Sequence, residues 1–117
     1  MIIIAGCIDL ADPDKMNQAL ERAKPLQQAT RDDEPGCQAY VFSEDPCVTG
    51  RIVVYELWDD EASLAAHFKH ENYFNMGALL GEIGIKEADN NKYRCDYKEP
   101  VYDDSRTPRA NFFTLDE

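Results

Sequence analysis

Three residues of this chain could combine acid–base chemistry with binding of an aromatic ligand: Glu56, Trp58 and His67. Glu56 and Trp58 belong to Arg51 to Trp58, a run of β-branched and aromatic residues suited to a pleated surface. Successive strand residues face opposite sides, so Ile52, Val54, Glu56 and Trp58 share one face and Val53, Tyr55 and Leu57 the other. A carboxylate among such neighbours ionises at a cost, which raises its pKa and suits proton abstraction. Paired with Arg51, Arg94 or a helix N-terminus, Glu56 would be structural instead. Trp58 could stack on an aromatic ligand and donate its indole N–H to an oxygen, or pack in the core with that N–H on a main-chain carbonyl. His67 could act as a base near neutral pH, or be a core histidine bonded across the domain to fix its helix. Tyr40 could supply a phenol hydrogen bond, and Phe68 and Tyr73 complete a set of aromatic candidates for substrate binding. Tyr55, on the opposite strand face, is a packing residue, and His70 is expected in solvent.

The elements that must position these residues follow in order. Met1 to Ile8 reads as a first strand, apolar on both faces and therefore central. Asp12-Pro13 starts a helix, with a carboxylate cap and a proline where no N–H is needed. Met16, Ala19, Leu20, Ala23 and Leu26 form its apolar stripe. Pro25 inside that stripe predicts a kink near Glu21 or Arg22. Gly36 to Ser43 and Arg51 to Trp58 flank a turn-rich segment carrying Pro46 and Gly50, and form a hairpin. Asp59 or Asp60 caps a helix holding Leu64, His67 and Phe68 on one face, and a further helix spans Asn72 to Glu82. Gly77, Gly81 and Gly84 weaken that helix, with close packing as their expected purpose. Ile85 to Ala88 and Lys92 to Tyr97 read as two short strands or one interrupted edge strand. From Lys98 a polar tail runs to Asn111-Phe112-Phe113-Thr114-Leu115, either docking on its own domain or a partner subunit, or fraying.

The order strand, helix, strand, strand, helix, strand predicts an α+β, ferredoxin-like βαββαβ sandwich with an antiparallel sheet and helices on one face. The domain covers residues 1–97, and 98–117 is the tail. A small antiparallel sheet normally leaves one face wet. Strands apolar on both faces therefore call for a second cover, and another copy of the chain is the economical one.

With 12 basic against 23 acidic side chains and a formal net charge of −11, the surface repels phosphate backbones and anionic lipid, so neither nucleic acid nor a membrane is an expected partner. No apolar run approaches the roughly 20 residues needed to span a bilayer. Ile2 to Ile8 is too short for a signal segment, and a cytoplasmic protein is expected. Cys7, Cys37, Cys47 and Cys95 include no C-x-x-C pair. The first two and Cys95 fall in strand-like runs as small hydrophobes, and Cys47 lies in a loop where alkylating reagents could reach it.

Glu34-Pro35-Gly36-Cys37, Tyr40, Gly50-Arg51 leading into Tyr55-Glu56-Leu57-Trp58, and Ala65-Ala66-His67-Phe68 together resemble the antibiotic biosynthesis monooxygenase family, over about Ile2 to Tyr97. The resemblance implies a homodimeric α+β barrel of two ferredoxin-like sheets packed face to face. It also implies a cofactor-independent monooxygenase that oxidises a small phenolic, quinol or polyketide-like aromatic substrate with O2. A non-catalytic small-molecule binding module, or a non-redox isomerase of a small carbonyl metabolite, could occupy the same fold. The substrate would supply the electrons, so no cofactor is called for. The chain has no Gly-x-Gly-x-x-Gly, no two-His-one-carboxylate spacing, and no metal ligands are assigned. Haem-degrading relatives use an Asn on the first strand, and Met1 to Ile8 has none. Polyketide oxygenases place polar Asn and Tyr around the Trp, where this chain has Val54 and Leu64.

Overall fold

A computed structural model describes residues 1–114. Strand β1 (Ile2–Leu10) leads through a single 3-10 turn (Pro13–Lys15) into helix α1 (Met16–Asp33). Then come β2 (Cys37–Glu44), β3 (Arg51–Trp58), α2 (Glu61–His67), α3 (Glu71–Ile83) and β4 (Ile85–Arg94). The four strands form one antiparallel sheet in the order β2-β3-β1-β4, so β1 and β3 are central, as their two apolar faces require.

The inner face buries Ile52, Val54, Glu56 and Trp58 of β3 beneath the helices, against Met16, Ala19 and Ala23 of α1 and Met76, Leu79 and Ile83 of α3. Registration across the strands arranges this face in rows. One row runs Tyr40, Glu56, Ile4, Lys92; the next towards the chain's N-terminal end pairs Trp58 with Ile2 and Ile2 with Arg94. On the outer face Val53 and Tyr55 remain 40% and 41% exposed.

Helix α1 is one element from Met16 to Asp33, and it continues past Pro25, where the kink is expected. Proline removes the partner of the Glu21 carbonyl, but both residues lie on the exposed side, where water can take that bond. The last strand is one continuous element along β1, not two pieces, and every residue in it is exposed. An edge strand with no helix over either side shows no burial alternation to read. His70 is the half-buried N-cap of α3 rather than a solvent residue, its Nδ1 accepting the Asn72 N–H at 3.0 Å. Asp60 caps α2 in the same way, through Ser63 N–H at 2.8 Å.

Gly77 and Gly81 do not serve close packing, since a Cβ at either would meet nothing within 4 Å. Gly36 does: a Cβ there would fall 2.1 Å from Ser63 Oγ, so the missing side chain lets α2 start directly over the β2 entry. All four cysteines are free thiols, with Cys47 exposed.

The tail closes on itself. Tyr102 bridges to Pro108, Glu99 accepts the backbone N–H groups of Phe113 and Thr114, Tyr97 packs edge-on to Phe112 at 5.6 Å, and Tyr97 and Thr114 share a hydrogen bond between their hydroxyls. Val101, Tyr102 and Phe112 stay exposed, and Leu115 lies outside the described residues.

Candidate active site

Because α1, α2 and α3 cover β2, β3 and part of β1 but leave β4 bare, the sheet and helices part along β4. A cleft of about 910 Å³ opens there. Its floor holds Tyr40, Glu56, Ile4 and Lys92, the cross-strand row, and its roof includes Tyr73, Phe74 and Gly77 of α3 with His67 and Phe68 at one end. Five of the six residues expected at a site therefore line one cavity: Tyr40, Glu56, His67, Phe68 and Tyr73.

The sixth, Trp58, is wholly buried behind them and is absent from the lining. Its indole N–H does not go to a main-chain carbonyl. It donates to Glu56 Oε1 at 3.0 Å, as two residues apart on one strand face can. Glu56 thus pairs with neither Arg51, which bonds Asp9 at 2.8 and 3.1 Å, nor Arg94. Burial pushes the Glu56 carboxyl up to about 7, with the Glu34 charge adding to the rise and the Trp58 N–H opposing it. The result is a carboxyl group poised to titrate near neutrality, held in one orientation and open to an apolar cleft.

His67 is nearly as deep, at 2% exposure. Its ring lies 4.5 Å from Trp58, 5.5 Å from Tyr40, 5.4 Å from Tyr73 and 5.8 Å from Phe68, between centroids. Burial lowers its pKa and Glu34 opposes that shift, so at neutral pH the imidazole is neutral. Nδ1 lies 2.8 Å from Glu34 Oε1, and Asn72 Nδ2 donates to Glu34 Oε2 at 3.2 Å. A carboxylate that accepts from Asn72 accepts from His67 as well, which assigns the proton to Nδ1 and leaves Nε2 as the free base. Tyr40 stays a protonated phenol, because burial and the carboxylates Glu56 and Glu34 all raise its pKa.

Glu34 and Asn72 were missed as site residues. A signal for Glu34 exists: it caps the C-terminal end of α1, where the helix dipole disfavours a negative charge, so a carboxylate followed by Pro35-Gly36 needs partners from elsewhere. Phe68, expected inside with Leu64, instead closes α2 and stands 44% exposed as the end wall of the cleft. No three His, Cys, Asp or Glu side chains form a metal-binding group among the described residues. Nor is any helix among them long and apolar enough to cross a membrane.

Gly77 supplies the first test of the cleft. A Cβ there would meet no protein atom within 4 Å, and Gly77 lines the cleft, so Gly77→Leu should block ligand entry. Gly77→Ala should raise stability by roughly 0.5–1 kcal/mol through helix propensity alone. Thermal melts of both variants, with ligand titrations of the leucine form, check this; unchanged binding in a folded Gly77→Leu protein would place the ligand elsewhere.

Comparison with known proteins agrees with this architecture. The sequence profile described as antibiotic biosynthesis monooxygenase matches residues 1–77. An uncharacterized protein of Synechocystis sp. is 32% identical over 93 residues, 80% of this chain; the chain spans 62% of that relative's length. A conserved protein of Methanosarcina mazei superposes with a TM-score of 0.70 at 27% identity, covering 80% of this chain and 90% of that one. A candidate antibiotic biosynthesis monooxygenase of Deinococcus radiodurans shares the fold, with a TM-score of 0.72 at 22% identity, 88% of this chain and 100% of that one. With the profile covering both the strand that carries Glu56 and the helix that carries His67, the chain belongs to the antibiotic biosynthesis monooxygenase family.

Proposed function

We propose that this protein is a cofactor-independent monooxygenase acting on a small phenolic, quinol or polyketide-like aromatic molecule. The observation that carries the reading is Glu56: a buried carboxyl, with its pKa near 7, facing an apolar cleft walled by aromatic side chains. Family membership and neighbours named as candidate monooxygenases support it.

In the proposed reaction Glu56 takes a proton from the bound phenol, quinol or activated ring CH2. The resulting anion gives one electron to O2, and recombination forms a carbon–oxygen bond as a hydroperoxide. Loss of water leaves one oxygen atom in the product as a carbonyl and the other in water. Every electron comes from the substrate. His67 Nε2 serves as the second proton acceptor or donor at the end of the cleft, and Glu34 steadies the imidazolium that forms. Trp58 acts through Glu56 as a positioning residue rather than by stacking on the ligand.

Oxygen-electrode assays across a panel of anthrones, naphthoquinols and benzoquinols test the reading. Uptake of one O2 per molecule oxidised, with the Gly77→Leu protein inactive, is the expected result. Ligand binding with no uptake by any compound would instead favour a binding module, and conversion of a carbonyl compound under nitrogen would favour an isomerase.

The same reading includes a homodimer. Val53 and Tyr55 on the outer sheet face, with Ile3, Ala5 and Leu57 partly buried beside them, form an apolar surface for a second copy. Sedimentation should give a dimer for the wild type, and Tyr55→Glu should shift it to monomer. A wild-type monomer at high concentration would overturn this part.

A further inference from the structure

The uncovered strand β4 carries charge that the site chemistry does not use. On its inner face Ala88, Asn90, Lys92 and Arg94 succeed one another, the last two registered beside Ile4 and Ile2 of β1. In a chain of net charge −11, neither Lys92 nor Arg94 has a carboxylate within ion-pair distance among the described residues. Both line a second hollow of about 470 Å³, floored by Ile2 and walled by Leu64 and Phe68, with the Glu61 side chain also in its lining. This hollow meets the main cleft, because Lys92 and Phe68 line both. Two cations with no ion-pair partner among the described residues therefore stand at the point where an aromatic cleft opens past Phe68.

We infer that Lys92 and Arg94 form an anion subsite, and that the ligand of this cleft is an aromatic acid: a fused ring system carrying a carboxylate or comparable anionic group. The inference rests on the cleft being the substrate site proposed above and names the class of substrate it takes.

The spacing is set by the sheet. Lys92 lies in the same cross-strand row as Glu56, two strands away through Ile4. Strands stand about 4.8 Å apart, so the two backbone positions are roughly 10 Å apart. Lys92 and Arg94, alternate residues of one strand, are about 7 Å apart and can flank one anionic group. A ring system of two or three fused rings spans the distance from Glu56 to that pair, with its acidic hydrogen at one end and its anionic group at the other.

Two probes of matched shape test this: 2-naphthoate and neutral 2-naphthalenemethanol, followed by equilibrium dialysis at low ionic strength. The wild type should bind the acid about tenfold or more tightly than the alcohol, as a charge-assisted contact implies. The Lys92→Met/Arg94→Met protein, changed at exposed positions, should bind the two alike. Raising salt from about 50 to about 500 mM should weaken the acid only. Gly77→Leu should abolish binding of both. Equal affinities in the wild type, no binding of either probe, discrimination that survives the double substitution, or naphthoate binding that survives Gly77→Leu would each overturn the inference. An absence of oxygen uptake with every quinol would remove the oxygenase reading and leave this discrimination intact.

Discussion

Replacing Glu56 by Gln should stop oxygen uptake and at the same time make the protein more stable above neutral pH. Turnover should fall about 100-fold or more, the loss expected when a positioned base is removed. The stability change has the opposite sign because the native carboxyl titrates near 7, whereas its unperturbed value is 4.5. Between those values the folded state holds a proton that the unfolded state has lost, so stability falls as pH rises. The contribution of Glu56 is fully present below about 4.5 and is gone once the pH has passed about 7, a loss on the order of 3 kcal/mol for a group this buried. Glutamine escapes that loss and can still accept the Trp58 N–H through its amide oxygen.

The variant should therefore match the wild type near pH 5 and melt several degrees higher near pH 8. Wild-type turnover should climb with pH through about 7, following ionised Glu56. Coincident melting curves at both pH values would show that Glu56 is not the perturbed carboxyl.

Glu34→Ala should be the most destabilising single change at the site. It leaves the His67 Nδ1–H and the Asn72 amide without a partner at two positions that are 2% and 4% exposed. Unpaired buried donors and a broken buried pair cost about 3 kcal/mol together, or on the order of 10 °C in melting temperature for a domain of this size. Glu34→Gln separates position from charge, because its amide can replace the hydrogen bonds once Asn72 rotates. That variant should stay folded yet lose turnover in kcat with little change in KM, since the lost interaction is with the imidazolium formed during reaction. A Glu34→Gln enzyme with unaltered kcat and pH profile would reduce Glu34 to a structural tie between α1, α2 and α3.

Much of the scaffold was readable in the chain because the reading needed only local periodicity. Alternation along Arg51 to Trp58 placed Glu56 and Trp58 on the covered face, and the Asp60 cap and the Met16, Ala19, Ala23 stripe located the helices. Periodicity appears only where one face is buried, so for β4, exposed along its whole length, the chain left two short strands and one interrupted edge strand equally open.

The site itself was decided by contacts at long sequence separation. Glu34 meets His67 33 residues away and Asn72 38 away, through the docking of α2 over Gly36, which no local pattern encodes. Trp58 was legible as important but not in its partner: only the packed fold brings its N–H to the Glu56 carboxyl in front of it. Strand register, which follows from the whole sheet, put Lys92 in line with Glu56. Sequence determined which residue types were present and which side of each element they occupy, while tertiary packing chose their partners, because pairing energies depend on distances that the order of residues alone does not fix.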